Sequence, residues 1–241
     1  MRINNSEVNF IVTKSQNIRK KAFDFEDFLD DFKEPFIVPL PDNFSPDAPR
    51  IIFQTPHGHS TLTISQTNFS LKTGYDNGWE YDIEKCLDYI RNRAESIYTM
   101  VTENDITIFY IGIIFDYYVP IENSNQSMRI LSEKFLNQNL NLNGISRKDI
   151  TDLNLKLTTE INSKFYRNFH FNTYKSYESR EATNQSLANF DIREEGIRIR
   201  IDVNDRKAFN IDGNHRSDLD VFREMIEITF DNYNKLPDML E

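Results

Sequence analysis

The sequence predicts an α+β fold in which antiparallel sheet, in one layer or more, carries two long amphipathic helices. Three observations lead there. Residues 50 to 71 alternate apolar and polar side chains between Gly and Pro breaks; Ile83, Leu87, Ile90, Ala94, Ile97 and Val101 recur at steps of four and three; Leu219, Phe222, Met225, Ile226, Phe230 and Tyr233 form a second stripe near the end. Period-two alternation is the pattern of a half-buried strand, and steps of three and four keep one face of a helix apolar.

Taken in order, Val8, Phe10 and Val12 alternate with Asn9 and Ile11 as a first strand. Residues 23–34 (FDFEDFLDDFKE) interleave Phe23, Phe25, Phe28, Leu29 and Phe32 with six acids, which predicts a short amphipathic helix with an acidic outer face. Pro35, Pro39, Pro41, Pro46 and Pro49 then mark a connection in which Phe36 to Leu40 forms at most a short edge strand. The meander comes next as Ile52 and Phe53, the turn Thr55 to His59, then Leu62 with Ile64, and Phe69 with Leu71. After the first long helix, Ile106 to Val119 is apolar on both sides, as a central strand covered on at least one face would be.

Beyond Pro120, Met128 to Phe135 reads as a modest helix and Asn137 to Gly144 as a loop. Leu153 to Leu157 and Phe165 to Phe171 alternate as strands. The polar stretch Ser176 to Ser186 separates them from Leu187 to Ile192 and Ile197 to Val203, which predict a hairpin turning at Glu194, Glu195 and Gly196. Ser217, three residues before Asp220, resembles a cap on the last helix, which Pro237 ends. The expected organisation is one α+β domain over 1–241: an N-terminal strand, short helix and Pro-rich connection in 1–49, a meander-helix-strand half in 50–120, and a strand-hairpin-helix half in 121–241. The halves are loosely similar, and duplication is one reading of that, without a residue-level repeat.

A formal charge of −10 sets the bounds on partners, because such a net field repels phosphate backbones and anionic lipid. Nucleic acid and membrane partners are therefore not expected. The single cysteine, Cys86, excludes an internal disulfide framework and multi-thiolate zinc; within the helix stripe it reads as a buried, inert thiol. Met1 to Glu7 is polar and no apolar run approaches about 18 residues, so a cytoplasmic location is expected.

Chemistry-bearing constellations are few. Asp202, Asp205 and His215, with Asp212 in DVNDRKAFNIDGNH, form the densest acid/base or Mg²⁺ candidate, against the plainer reading of a solvated loop. His57 and His59 share a face if extended, with His170 or His215 as a third ligand, but Pro56 and Gly58 favour a solvated turn; no metal and no cofactor are expected. Arg198 and Arg200 on one strand face, near Phe169 and Tyr174, are read as a cross-strand charge face rather than a nucleic-acid platform. Phosphate-cradling glycine loops, serine elbows and dinucleotide fingerprints are missing from the sequence.

In the order of its elements the chain resembles a sporadically distributed family of uncharacterised bacterial proteins. The resemblance runs through IIFQTPHGHSTLTISQTNFSLKT, Trp79 and Tyr81, YDIEKCLDYIRNRAESIYTMV, ITIFYIGIIFDYYVPI, IRIRIDV and DLDVFREMIEITFDNYNKL. It implies an aspartate on the strand before the last helix, matched by Asp202, and an arginine and tyrosine on the strand after the first helix, where Phe109, Tyr110, Ile111 and Gly112 stand without arginine. It brings no established activity. The expected function is a noncatalytic protein-interaction component of immunity, antitoxin or holdase type. Phe25, Phe28 and Phe32 are its candidate binding residues, its protein partner is unidentified and homo-oligomerisation stays open. The alternative is an enzyme of unrecognised type using the Asp202 to His215 loop.

Overall fold

A computed structural model describes residues 1–41, 43–121, 126–136, 152–179 and 190–240. Its strands are β1 (Arg2–Val12), β2 (Phe36–Ile37), β3 (Ile51–Gln54), β4 (Ser60–Ile64), β5 (Asn68–Gly74), β6 (Ile108–Pro120), β7 (Asn154–Glu160), β8 (Tyr166–Ser179) and β9 (Phe190–Asn204). The helices are α1 (Ala22–Glu26), α2 (Ile83–Glu103), α3 (Gln126–Phe135), α4 (Arg206–Ile211) and α5 (Leu219–Leu240). The strands form one antiparallel sheet in the order β2-β3-β4-β5-β1-β6-β9-β8-β7. The N-terminal strand thus lies in the middle, between the end of the meander and β6.

One continuous apolar row shows how the two faces are divided. Phe53, Leu62, Leu71, Val8, Ile113 and Val203 stand opposite one another across six strands, and all six are buried. Two parallel rows, on the other face, run Thr61, Lys72, Glu7, Ile114, Asp202, Asn168 and Gly74, Asn5, Asp116, Arg200, His170. Antiparallel sheets tolerate this division, one face dry and one polar. The dry face receives the helices: Tyr89 of α2 reaches Ser60 at 3.0 Å, Tyr233 of α5 packs on Tyr117 at 5.7 Å, and Phe135 of α3 packs on Phe171 at 4.7 Å. Each large apolar side chain moved from water into that layer contributes about 1.5–3 kcal/mol.

Helix α2 forms where its stripe predicts it. The Asp82 carboxylate caps it by accepting the Lys85 amide hydrogen at 3.1 Å, and Ile83, Leu87, Ile90, Ala94, Ile97 and Val101 are all buried. At α5 the capping expectation is corrected: Asp218 caps by accepting the Val221 amide hydrogen at 2.9 Å, while Ser217 turns elsewhere. The helix also continues through Pro237 to Leu240 instead of ending before the proline. The helix expected over 25–32 is shorter, with only Ala22–Glu26 helical and turns beyond it.

The hairpin expected at Glu194 to Gly196 is a correction as well, since Phe190 to Asn204 is one strand, paired with β8 and β6. Gly196 does not turn the chain. A Cβ there would stand 2.3 Å from the Val119 carbonyl oxygen and 2.8 Å from the Tyr118 ring, so glycine is required by close approach to β6. The irregularity is a register shift between Ser176 and Tyr177 of β8, opposite Ile192 and Glu194. Residues 137–144 and 187–189, expected as loop and strand, lie outside the described residues.

Candidate functional site

Asp205, His215 and Ser217 meet where β9 runs out into the loop before α5. The Asp205 carboxylate is fully buried; its Oδ1 accepts the Ile111 amide hydrogen at 2.7 Å, and its Oδ2 accepts from His215 Nε2 at 2.7 Å and from the Ser217 hydroxyl. Because a carboxylate only accepts here, Nε2 carries the hydrogen. Serine and histidine meet on the same oxygen. A nucleophilic relay needs the imidazole between the hydroxyl and the acid, so this geometry fastens a loop and does not activate the hydroxyl.

Asp202 is not part of that cluster. It stands on the polar face opposite Ile114 and Asn168, accepting from Asn204 at 2.9 Å and Asn168 at 3.0 Å. Burial raises its carboxyl from the ordinary aspartate value, against the lowering effect of the two amide donors. The two aspartates thus belong to different environments, strand face and strand end, which their spacing in sequence does not reveal. Asp212 holds the Asn214 amide hydrogen at 2.9 Å in an exposed loop.

His57 and His59 lie in the turn between β3 and β4, their ring centroids 6.3 Å apart, and His59 Nδ1 is 3.7 Å from Asp76 Oδ1. Among the described residues no three His, Cys, Asp or Glu side chains converge as metal ligands. On the polar face Arg198 pairs with buried Asp116 at 2.8 Å, while Arg200 and Lys72 stand 3.7 and 3.6 Å from Glu7. These cations are matched by acids on other strands of the same face, Arg198 and Lys72 across adjacent strands and Arg200 across β6, as in a cross-strand charge face.

The aromatic segment divides in two. Phe25 is fully buried, edge-on to Phe69 at 5.8 Å, and Phe28 and Phe32 pack on the core, Phe32 facing Phe53 at 6.5 Å. Of the three, only Phe25 is wholly inside; Phe28 and Phe32 are half-buried and keep part of their rings at the surface. Phe23, Phe36, Ile37 and Phe44 are instead 66, 62, 37 and 52 % exposed. Of the eight large apolar side chains exposed among the described residues, these four lie in one 22-residue stretch; Trp79 and Tyr81 make a second pair, and Leu157 and Ile211 stand singly.

Local chemistry holds that stretch at the β2 edge. Arg19 donates to the Leu40 carbonyl at 2.6 Å, Lys33 to the Gln54 carbonyl through its amide at 2.8 Å, and the buried Arg50 guanidinium to the carbonyls of Ala48, Ser45 and Phe44 at 2.8, 3.1 and 3.3 Å. Arg50 thereby fixes the Pro-rich connection that carries Phe44. Pro35 and Pro39 bracket β2, and a two-residue strand so bracketed offers almost no free backbone for another strand to pair with. What this edge presents to solvent is therefore side chains, Phe36 and Ile37. Phe36, Ile37 and Phe44 stand among prolines, outside any period that would bury them, which is the trace of their exposure in the sequence.

No family model, no curated protein and no solved structure matches the chain. Among the described residues no helix is long and apolar enough to cross a membrane.

Proposed function

We propose that the chain is a noncatalytic protein-interaction component, cytoplasmic and of the immunity, antitoxin or holdase type, which docks a partner protein on residues 23–44. The observation that carries this reading is the exposure of Phe36 and Ile37 on edge strand β2 and of Phe23 and Phe44 on either side of it in the chain. Asp24, Asp27, Asp30, Asp31 and Glu34 are exposed in the same stretch, so the matching partner surface is apolar with a basic rim. Asp205 and His215 support the reading from the other side, since both are engaged in holding the α5 approach.

Affinity capture from the native cytoplasm with mass spectrometry tests it. A Phe23→Ser, Phe36→Ser, Phe44→Ser variant is expected to lose at least tenfold of the captured partner, equivalent to about 1.4 kcal/mol, while its unfolding midpoint stays near that of the parent. Capture that persists in the folded triple variant rejects this segment as the docking surface.

A further inference from the structure

The loop between β5 and α2 closes a pocket of about 190 Å³ whose lining includes Tyr75, Asp76, Trp79, Tyr89 and His59. Trp79 and Tyr89 meet at right angles, 88° between planes with centroids 5.5 Å apart, so their rings make a corner. Tyr75 is held rigidly, its hydroxyl 2.6 Å from Ser6 Oγ and its ring stacked on Phe115 at 6.4 Å. Two successive left-handed residues, Asn77 at φ 55° and Gly78 at φ 93°, swing the chain round to place Trp79, whose amide donates to the Asp76 carbonyl at 3.1 Å. Asp76 adds a carboxylate to the lining, its Oδ1 accepting from Asn77 Nδ2 at 3.0 Å.

Aromatic faces carry negative potential, and a carboxylate beside them strengthens the attraction for a cation. A bare ammonium is strongly hydrated and gains little from an apolar corner; a methylated one is weakly hydrated and fills it. The Arg93 guanidinium takes one face of Tyr89, 3.6 Å from the ring centroid, with its charge matched by Asp31 at 3.1 Å, so the pocket's cation would rest on the remaining ring surface and the Asp76 carboxylate. The volume is below the roughly 300 Å³ of ordinary ligand pockets, so it suits a head group rather than a whole large ligand. We propose that this pocket binds a methylated ammonium group, carried by a small choline-like cation or by a methylated lysine side chain. The pocket shares no residue with the docking segment, though the Arg93–Asp31 ion pair joins the back of Tyr89 to it.

Trp79 is the only tryptophan in the chain, so its fluorescence reports this pocket alone. Titration of the full chain with choline, and separately with a trimethyllysine peptide, is expected to give a saturable change in emission, the tighter of the two identifying the source of the group. The uncharged carbon isostere of choline should bind roughly tenfold more weakly, and Asp76→Asn, at a site whose side chain is 61 % exposed, should weaken the cations several-fold without unfolding the protein. Calorimetric titration of Trp79→Ala should show binding lost. Absence of a saturable response to both cations overturns the proposal, and so does an isostere that binds as tightly as choline.

Discussion

The Asp205 carboxylate accepts the amide hydrogen of Ile111, 94 residues earlier in the chain, at 2.7 Å, and the Asp205 amide returns a bond of 3.2 Å to the Ile111 carbonyl. This reciprocal pair closes the end of β9 onto β6 at a point with no exposure to water. Removing the acid leaves a buried donor without a partner and releases His215 and Ser217 together. Asp205→Ala should therefore cost about 3 kcal/mol or more, with Asp205→Asn milder because one acceptor remains. Urea unfolding decides it, and a midpoint unchanged in the alanine variant rejects the role.

Phe25 and Phe23 are two residues apart and should behave as opposites. Phe25→Ala empties a site sealed by Phe69 and is expected to cost about 3–5 kcal/mol. Phe23→Ser, at a ring 66 % exposed, should stay within about 0.5 kcal/mol of the parent. Thermal denaturation of the two single variants reads the difference; equal losses contradict the division of this segment into core and surface.

Cys86 is fully buried in α2, and its thiol donates to the Trp79 carbonyl at 3.3 Å. Burial pushes the thiol up to about 12, and the Asp82 and Glu80 carboxylates act in the same direction. The reactive thiolate is accordingly scarce at neutral pH. Alkylation by iodoacetamide should be slow in the folded protein and rise only with unfolding. A native rate equal to that of a free thiol would mean that the helix stripe is open.

Asp202 titrates in the opposite sense to a salt-bridged acid. Its folded carboxyl is raised by burial, so the folded chain keeps this proton at a pH where the unfolded chain, near an ordinary pKa of about 3.9, has lost it. The stabilisation is fully present below the unfolded value and is lost as pH rises through the folded one. Lowering the pH from neutral to about 4 should shift the stability difference between the parent and Asp202→Asn in favour of the parent. A difference that does not change with pH removes the titration from this site.

The meander and the stripe of α2 were legible in the sequence because both depend on local periodicity. Leu62, Ile64, Phe69 and Leu71 alternate over a few residues, and Ile83 through Val101 repeats at helical steps whatever lies opposite. The dry face of the sheet comes from the same rule. Local pattern carries no information about which distant strand lies alongside. The placement of β1 between β5 and β6 is decided by pairing with residues more than 55 positions away, at Val8 with Leu71 and Ile113. Gly196 reads as a turn because glycine permits turns, and only the nearness of Tyr118 and the Val119 carbonyl shows that the missing Cβ is what matters. Ser217 reads as a cap until Asp205 is found beside it. Among the phenylalanines of the N-terminal segment, the local pattern does not separate the rings; their contacts do, Phe25 lying on Phe69 and Phe32 on Phe53 while Phe23, Phe36 and Phe44 stay on the surface.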